Sequence, residues 1–242
     1  MRDVEFDVEA ERFVALVGPS GCGKSTTLSL IAGLDRATTG RVEVRGKRVD
    51  GITDAVGFLF QRDALLPWKT VRDNVLFPLV LRNVSAKEAK ARADEWIARV
   101  GLRGFEGSYP HQLSGGMRKR VALAQTLVYD PEILLMDEPF SALDVQTRNL
   151  MEGELLALWQ GSGKTVIFVT HDLEEAIALA DEVIVMTAGP ARVKAAYPVT
   201  LPRPRDIEQA RFDPRFTELY SKMWNDLRNE VLESYARATA AG

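Results

Sequence analysis

Residues 18–26 read GPSGCGKST, a glycine-rich run that ends in a lysine and two hydroxyl side chains. The spacing G-x-x-x-x-G-K-[ST] suits the holding of phosphate. Gly18, Gly21 and Gly23 let the backbone wrap closely enough to aim amide hydrogens at phosphate oxygens, with Pro19, Ser20 and Cys22 as the loop's spacers. Lys24 is expected to contact the β- and γ-phosphates and Ser25 to ligate magnesium, while Thr26 stands at the start of a helix whose dipole favours an anion. A thiol at Cys22 is expected to act as a small spacer, and its alkylation to block the loop.

Four further residues have suitable chemistry if the fold brings them to that loop. The run ILLMDEP (133–139) is an apolar strand ending in two acids, whose side chains point to opposite sides of the strand. Asp137 is then placed for a magnesium ion and Glu138 for an attacking water as general base. Taken alone, such an ending is more often a plain strand end. His171, after the apolar run VIFVT, is a candidate sensor of the γ-phosphate; a lone histidine is more often structural. Gln61, after GFLF, has an amide that can reach magnesium or water. A second anion-binding pattern, Ser114-Gly115-Gly116 in LSGGM (113–117), also looks like a helix start.

Convergence of these residues requires a particular scaffold. Short β-rich runs at 12–17, 41–44, 55–60, 132–136, 165–170 and 182–186 alternate with helical patterns. That is the signature of an α/β fold with a mainly parallel sheet, in which ligands bind beyond the carboxyl ends of the strands. The first residues, MRDVEFDVEAERF, alternate Val4, Phe6 and Val8 with charge and predict a strand. Between Gln61 and Asp130 the pattern becomes helical, with a capping box from Ser85 to Glu88 and a C-terminal Gly101. The division expected is a core of residues 1–61 and 131–206, a helical insertion at 62–130 and a helical tail at 207–242. On the tail, Phe216, Leu219, Tyr220, Met223, Trp224, Leu227, Val231 and Tyr235 share one helical face. That face either packs on the body or binds a partner.

Bulk composition narrows the class. With 31 Lys+Arg against 34 Asp+Glu over 242 residues, the net charge is −3, which argues against a nucleic-acid surface. One cysteine excludes an internal disulfide framework and fits a reducing compartment. The longest apolar runs are far short of the roughly 18 residues of a membrane-spanning helix, so any membrane connection is expected through a partner.

In order along the chain, GPSGCGKST, Gln61, LSGGM, ILLMDE, SALD (141–144) and His171 resemble the nucleotide-binding subunit of ATP-binding-cassette (ABC) transporters. The resemblance covers nearly the whole chain. It implies a P-loop NTPase with a RecA-like core, an inserted helical subdomain and a small antiparallel β portion. It also implies ATP and Mg2+ as ligands and a head-to-tail homodimer. In that dimer Ser114, Gly115 and Gly116 would bind the nucleotide held by the other subunit's Lys24, with Asp144 crossing the same interface. The stretches LFQRDALLPWKTVRDNV, YPHQLSGGM, THDLEEAIALADEV and LPRPRD are similar to the nitrate, sulfonate and taurine importer branch. By that likeness the subunit is peripheral, on the cytoplasmic face of the inner membrane. It serves permease subunits and, indirectly, a periplasmic or lipid-anchored solute-binding protein. Leu65, Leu66, Pro67 and Trp68 would line a groove for the permease, or else belong to the core. Force-transmitting ATPases of division or lipoprotein-release type are the nearest alternative.

Three departures from the pattern stand out. The aromatic platform for adenine is absent: Phe6 and Phe13 read as core, implying a missing N-terminal strand or looser adenine binding. Glu11-Arg12 replaces the usual Gly-Glu turn, and Gln125 a usual arginine. Arg118, Lys119 and Arg120 are expected to support the subunit interface.

Overall fold

The computed structural model describes residues 3–240, with side chains described through Leu232. In chain order the elements are β1 (Phe13–Val17), α1 (Lys24–Ile31), β2 (Glu43–Val44), β3 (Lys47–Arg48), β4 (Val56–Leu59), α2 (Val71–Leu81), α3 (Ala86–Arg99) and α4 (Gly115–Leu127). They continue with β5 (Ile133–Asp137), α5 (Val145–Trp159), β6 (Thr165–Val169), α6 (Leu173–Leu179), β7 (Glu182–Met186), β8 (Val193–Pro198), α7 (Ile207–Ala210) and α8 (Pro214–Ala240).

The main sheet has the order β4-β5-β6-β1-β7-β8, parallel except for β8, while β2 and β3 form a separate antiparallel pair. Its central strands are buried on both faces, which is why they read as continuous apolar runs. Phe13, Ala15 and Val17 of β1 join Met136 and Phe168 in one core, under α4, α5, α6 and α8. Val14 and Leu16 face the other way, into a core with Leu28 and Ile31 of α1. Phe13 meets Trp159 edge-on, with ring centroids 5.4 Å apart. A third core joins α2, α3 and α4 through Val75, Leu79, Ala93, Ile97 and Val121. Ser85 caps α3 by accepting from Glu88 N, and Gly101 follows that helix at φ +70°.

Several expectations are corrected. No strand forms at residues 3–12, although Phe6 and Val8 do pack on the α1-side core and Val4 beside Cys22. The alternation there gives one side of an extended segment something to bury, but a strand also needs a ladder partner. The run at 41–44 yields only β2, and β3 and β8 were not legible. β8 is a half-exposed edge strand, VKAAYP, with weak alternation and a proline. On α8, Phe216, Met223 and Leu227 are buried and Leu219, Tyr220 and Val231 pack against the body, but Trp224 is 48% exposed. The Tyr235 side chain lies outside the described residues. Among the described residues no helix is long and apolar enough to cross a membrane.

Glu11 shows how the chain manages without a turn glycine. It takes φ +63° and donates its N–H to Thr165 Oγ1 at 2.9 Å. A left-handed conformation costs a side-chain-bearing residue about 1–2 kcal/mol. Glu11→Gly relieves that strain and gives back about 0.5–1 kcal/mol in unfolded-chain freedom. Thermal unfolding of the variant should therefore show a midpoint higher by about 1–2 °C; a lower one would contradict this reading of the turn.

Candidate nucleotide site

Because β4, β5, β6 and β1 run parallel, their carboxyl ends share one edge of the sheet. Gln61 follows β4, Asp137 ends β5, His171 follows β6 and Gly18 follows β1. Ladder register sets their heights: Leu59 pairs with Met136, and Asp137 with Val169. Four distant segments are thus delivered to one place.

The loop after β1 leads into α1, with Gly21 at φ +74° and Gly23, the N-cap, at φ +107°, a region that favours glycine. Gly18, Pro19 and Cys22 are buried, while Ser20, Ser25 and Thr26 are exposed. Lys24 is only 6% exposed. Its Nζ donates to the carbonyls of Gly18 at 2.8 Å and Pro19 at 3.1 Å, and among the described residues it makes no ion pair with a carboxylate. Cys22 packs with Met186 and Ala191, and burial pushes its thiol pKa up. The thiol is therefore protonated at neutral pH, consistent with a spacer.

Ser25 Oγ donates to Asp137 Oδ1 at 3.0 Å, so the expected metal ligands are already adjacent. Burial raises the Asp137 carboxyl above its usual range, with the Ser25 hydrogen bond opposing it. One residue on, a single oxygen collects both other candidates. Gln61 Nε2 donates to Glu138 Oε2 at 3.3 Å, and His171 Nδ1 lies 3.1 Å from the same atom. Glu138 has φ +43°, an unfavourable backbone for a glutamate. Three hydrogen bonds hold it there: its N–H to Val169 O at 2.9 Å, and its carbonyl accepting from Ser141 N at 3.3 Å and Ser141 Oγ at 3.0 Å.

The second anion pattern is present but separate. Ser114 is the N-cap of α4, its side chain accepting from Met117 N, so Gly115 and Gly116 form the first turn. Among the described residues no hydrogen bond or ion pair links Ser114–Gly116 to the loop at 18–26. The start of α4 instead packs on α5, where a Cβ at Gly116 would lie 2.8 Å from Thr147 Cγ2. Asp144 caps α5 by accepting from Thr147 N at 3.0 Å and Thr147 Oγ1 at 2.7 Å, which holds its carboxyl below the usual range.

The basic run after LSGGM makes ion pairs within the chain. Arg118 and Lys119 both pair with Asp63, at 3.3 and 2.8 Å, and Arg120 pairs with Glu154 at 2.7 Å. Lys119 is buried and also donates to the Gln61 carbonyl at 2.8 Å, tying α4 to the residue that reaches Glu138. Sequence reasoning missed Asp63 and the tie from Lys119 to Gln61; the acid two residues after Gln61 was the available signal. Of the proposed groove, Leu65 packs on both neighbouring cores and Trp68 is 71% exposed.

Residues 1–141 match the ABC transporter family. The ABC transporter ATP-binding protein MJ0412 of Methanocaldococcus jannaschii is 49% identical over 232 residues, 96% of this chain and 85% of its own length. The aliphatic sulfonates import ATP-binding protein SsuB of Bacillus cereus is 40% identical over 237 residues, 98% of this chain and 88% of its own. Among solved structures, the dimeric post-hydrolysis state of the ATP-binding cassette MJ0796 bound to ADP and Pi superposes with a TM-score of 0.72. It shares 33% identity and covers 82% of this chain and 90% of that one. The α/β fold is accordingly that of an ABC ATPase, a P-loop NTPase with a small antiparallel β portion. The chain belongs to the ABC transporter family, and binds and hydrolyses ATP within it.

Proposed function

We propose that this chain powers an importer of a small anion of the sulfonate, nitrate or taurine class, working as an ATP-dependent homodimer on the cytoplasmic face of the membrane. The importer names carried by relatives at 40% identity over nearly the whole chain support import over a division or lipoprotein-release role. Permease subunits would dock near Leu65–Trp68, and a solute-binding protein would deliver the cargo outside. Residues 1–61 and 131–206 serve as the ATP-binding core, 62–130 as the helical part that presents Ser114, and 207–242 as a tail.

The observation that carries the catalytic assignment is the meeting of Gln61 and His171 on Glu138 Oε2. Gln61 and His171 would hold the carboxylate and the attacking water in line. Glu138 accepts a proton as the water oxygen bonds to the γ-phosphorus and the bond to ADP breaks. Lys24 and the amides of residues 18–26 bind the phosphates. Ser25 and Asp137 fit Mg2+: their hydroxyl and carboxylate would supply oxygen donors, the Gln61 amide oxygen would add a third, and such sites rely on phosphates and water for the rest. Bound there, the ion would neutralise charge developing on the phosphates. Ser114, Gly115, Gly116 and Asp144 act on the nucleotide of the second subunit.

Glu138→Gln keeps the shape and removes the base. Its kcat should fall about 100-fold or more while ATP is still bound, and gel filtration with ATP should show an accumulated dimer. Normal turnover in this variant would refute the assignment. Ser114→Arg puts bulk and charge at the N-cap of α4, away from the chain's own loop. Nucleotide binding by the isolated chain should stay within about twofold of wild type, with ATPase activity lost by about tenfold or more; equal loss of both would place Ser114 in its own chain's site.

A further inference from the structure

Beneath the exposed His171 lies a buried ionic cluster that the hydrolytic residues do not use. Glu152 of α5 is 0% exposed, and neither carboxylate oxygen meets a hydrogen-bond donor among the described residues. Arg211, the C-cap of α7, approaches it to 4.0 Å. The same guanidinium donates to Asn149 Oδ1 of α5 at 3.2 Å and lies 3.6 Å from Glu174 of α6. One side chain of the C-terminal segment therefore spans both helices.

The cluster continues to the segment around His171. Glu175, 5% exposed, accepts a hydrogen bond from Thr170 Oγ1, which itself accepts from Asp172 N at 3.0 Å. Asp172 caps α6 and pairs with Arg148 at 3.2 Å. Arg148 reaches back to the Leu143 carbonyl at 3.3 Å, immediately before Asp144. Thr170 and Asp172 flank His171, so both segments are anchored in one buried volume.

The balance of charge there is close. Burial raises the Glu152 carboxyl to about 7 and the Glu175 carboxyl to about 8. Arg211 is the main influence opposing the first, with Arg148, Asp172 and Glu174 also facing it; Thr170 opposes the second, which faces Glu152, Asp172 and Arg148. Removing Arg211 takes away the main influence that keeps Glu152 ionised, so the carboxyl takes up a proton and stays buried without a partner, and the tie from the C-terminal segment to α5 and α6 is lost.

We propose that Arg211 is a positioning residue for ATP hydrolysis: by balancing Glu152 it holds α5, with the Leu143–Asp144 turn, and α6, with residues 170–172, in the arrangement that presents His171 to Glu138. The C-terminal segment is then part of the ATPase machinery, acting through packing and charge. This rests on the functional reading above.

Steady-state ATPase kinetics of the full chain, read beside thermal unfolding, test it. Arg211→Gln should lower kcat about tenfold and leave KM for ATP within about twofold, while Arg211→Lys keeps kcat within about twofold of wild type. Adding Glu152→Gln to Arg211→Gln puts two neutral amides, able to hydrogen-bond each other, where the charged pair stood and should restore kcat to within about threefold. Wild-type kcat in Arg211→Gln, a loss confined to KM, or no restoration by Glu152→Gln would each overturn the proposal. Should Arg211→Gln fail to fold, the doubly substituted chain decides: active, it supports the proposal; folded and inactive, it overturns it. An inactive wild-type chain would instead overturn the functional reading.

Discussion

A buried ammonium with no carboxylate within ion-pair distance among the described residues is the constraint on which this structure turns. Lys24 is held by two neutral carbonyls, and the first turn of α1 adds backbone N–H groups with no helical acceptors. Positive potential is thereby concentrated in one loop, whose cost in isolation is that of any poorly compensated buried charge. A polyphosphate supplies what the loop lacks: negative charge with several acceptor oxygens. The Asp137–Ser25 pair and the Glu138–Gln61–His171 group are assembled at the same edge of the sheet.

Parallel topology is what makes such an assembly possible. Each strand ends at the same edge, so single residues from four segments meet without a dedicated loop to carry them. The backbone at Glu138 accepts strain to aim one carboxylate, and hydrogen bonds from Ser141 and to Val169 hold it there. The helical segment is not independent of this edge. Lys119 and Asp63 join α4 to the backbone at Gln61, whose side chain reaches Glu138.

Much of this was legible because chemistry and periodicity agreed. The loop at 18–26 is specified by glycines at fixed spacing, and the central strands by apolar runs that can only be buried on both faces. Legibility failed where local pattern lacked its tertiary partner. Val4, Phe6 and Val8 alternate like a strand yet form no ladder, and β8 pairs at an edge that its composition does not announce. The basic run at 118–120 looked like an interface because Asp63 and Glu154 are distant in sequence. Glu152 and Arg211 are silent for the same reason: a buried charge pair has no periodic signature.

Two helix N-termini in one chain have the chemistry proposed for anions, and among the described residues no hydrogen bond brings them together. The proposed site, completed by a second copy, would resolve this and make hydrolysis depend on association. The direct measurement is specific ATPase activity of the isolated chain across a range of protein concentrations spanning monomer to dimer. A shared site predicts specific activity that rises with concentration and then levels as the dimer saturates. Constant specific activity down to concentrations where only monomer is present would contradict it.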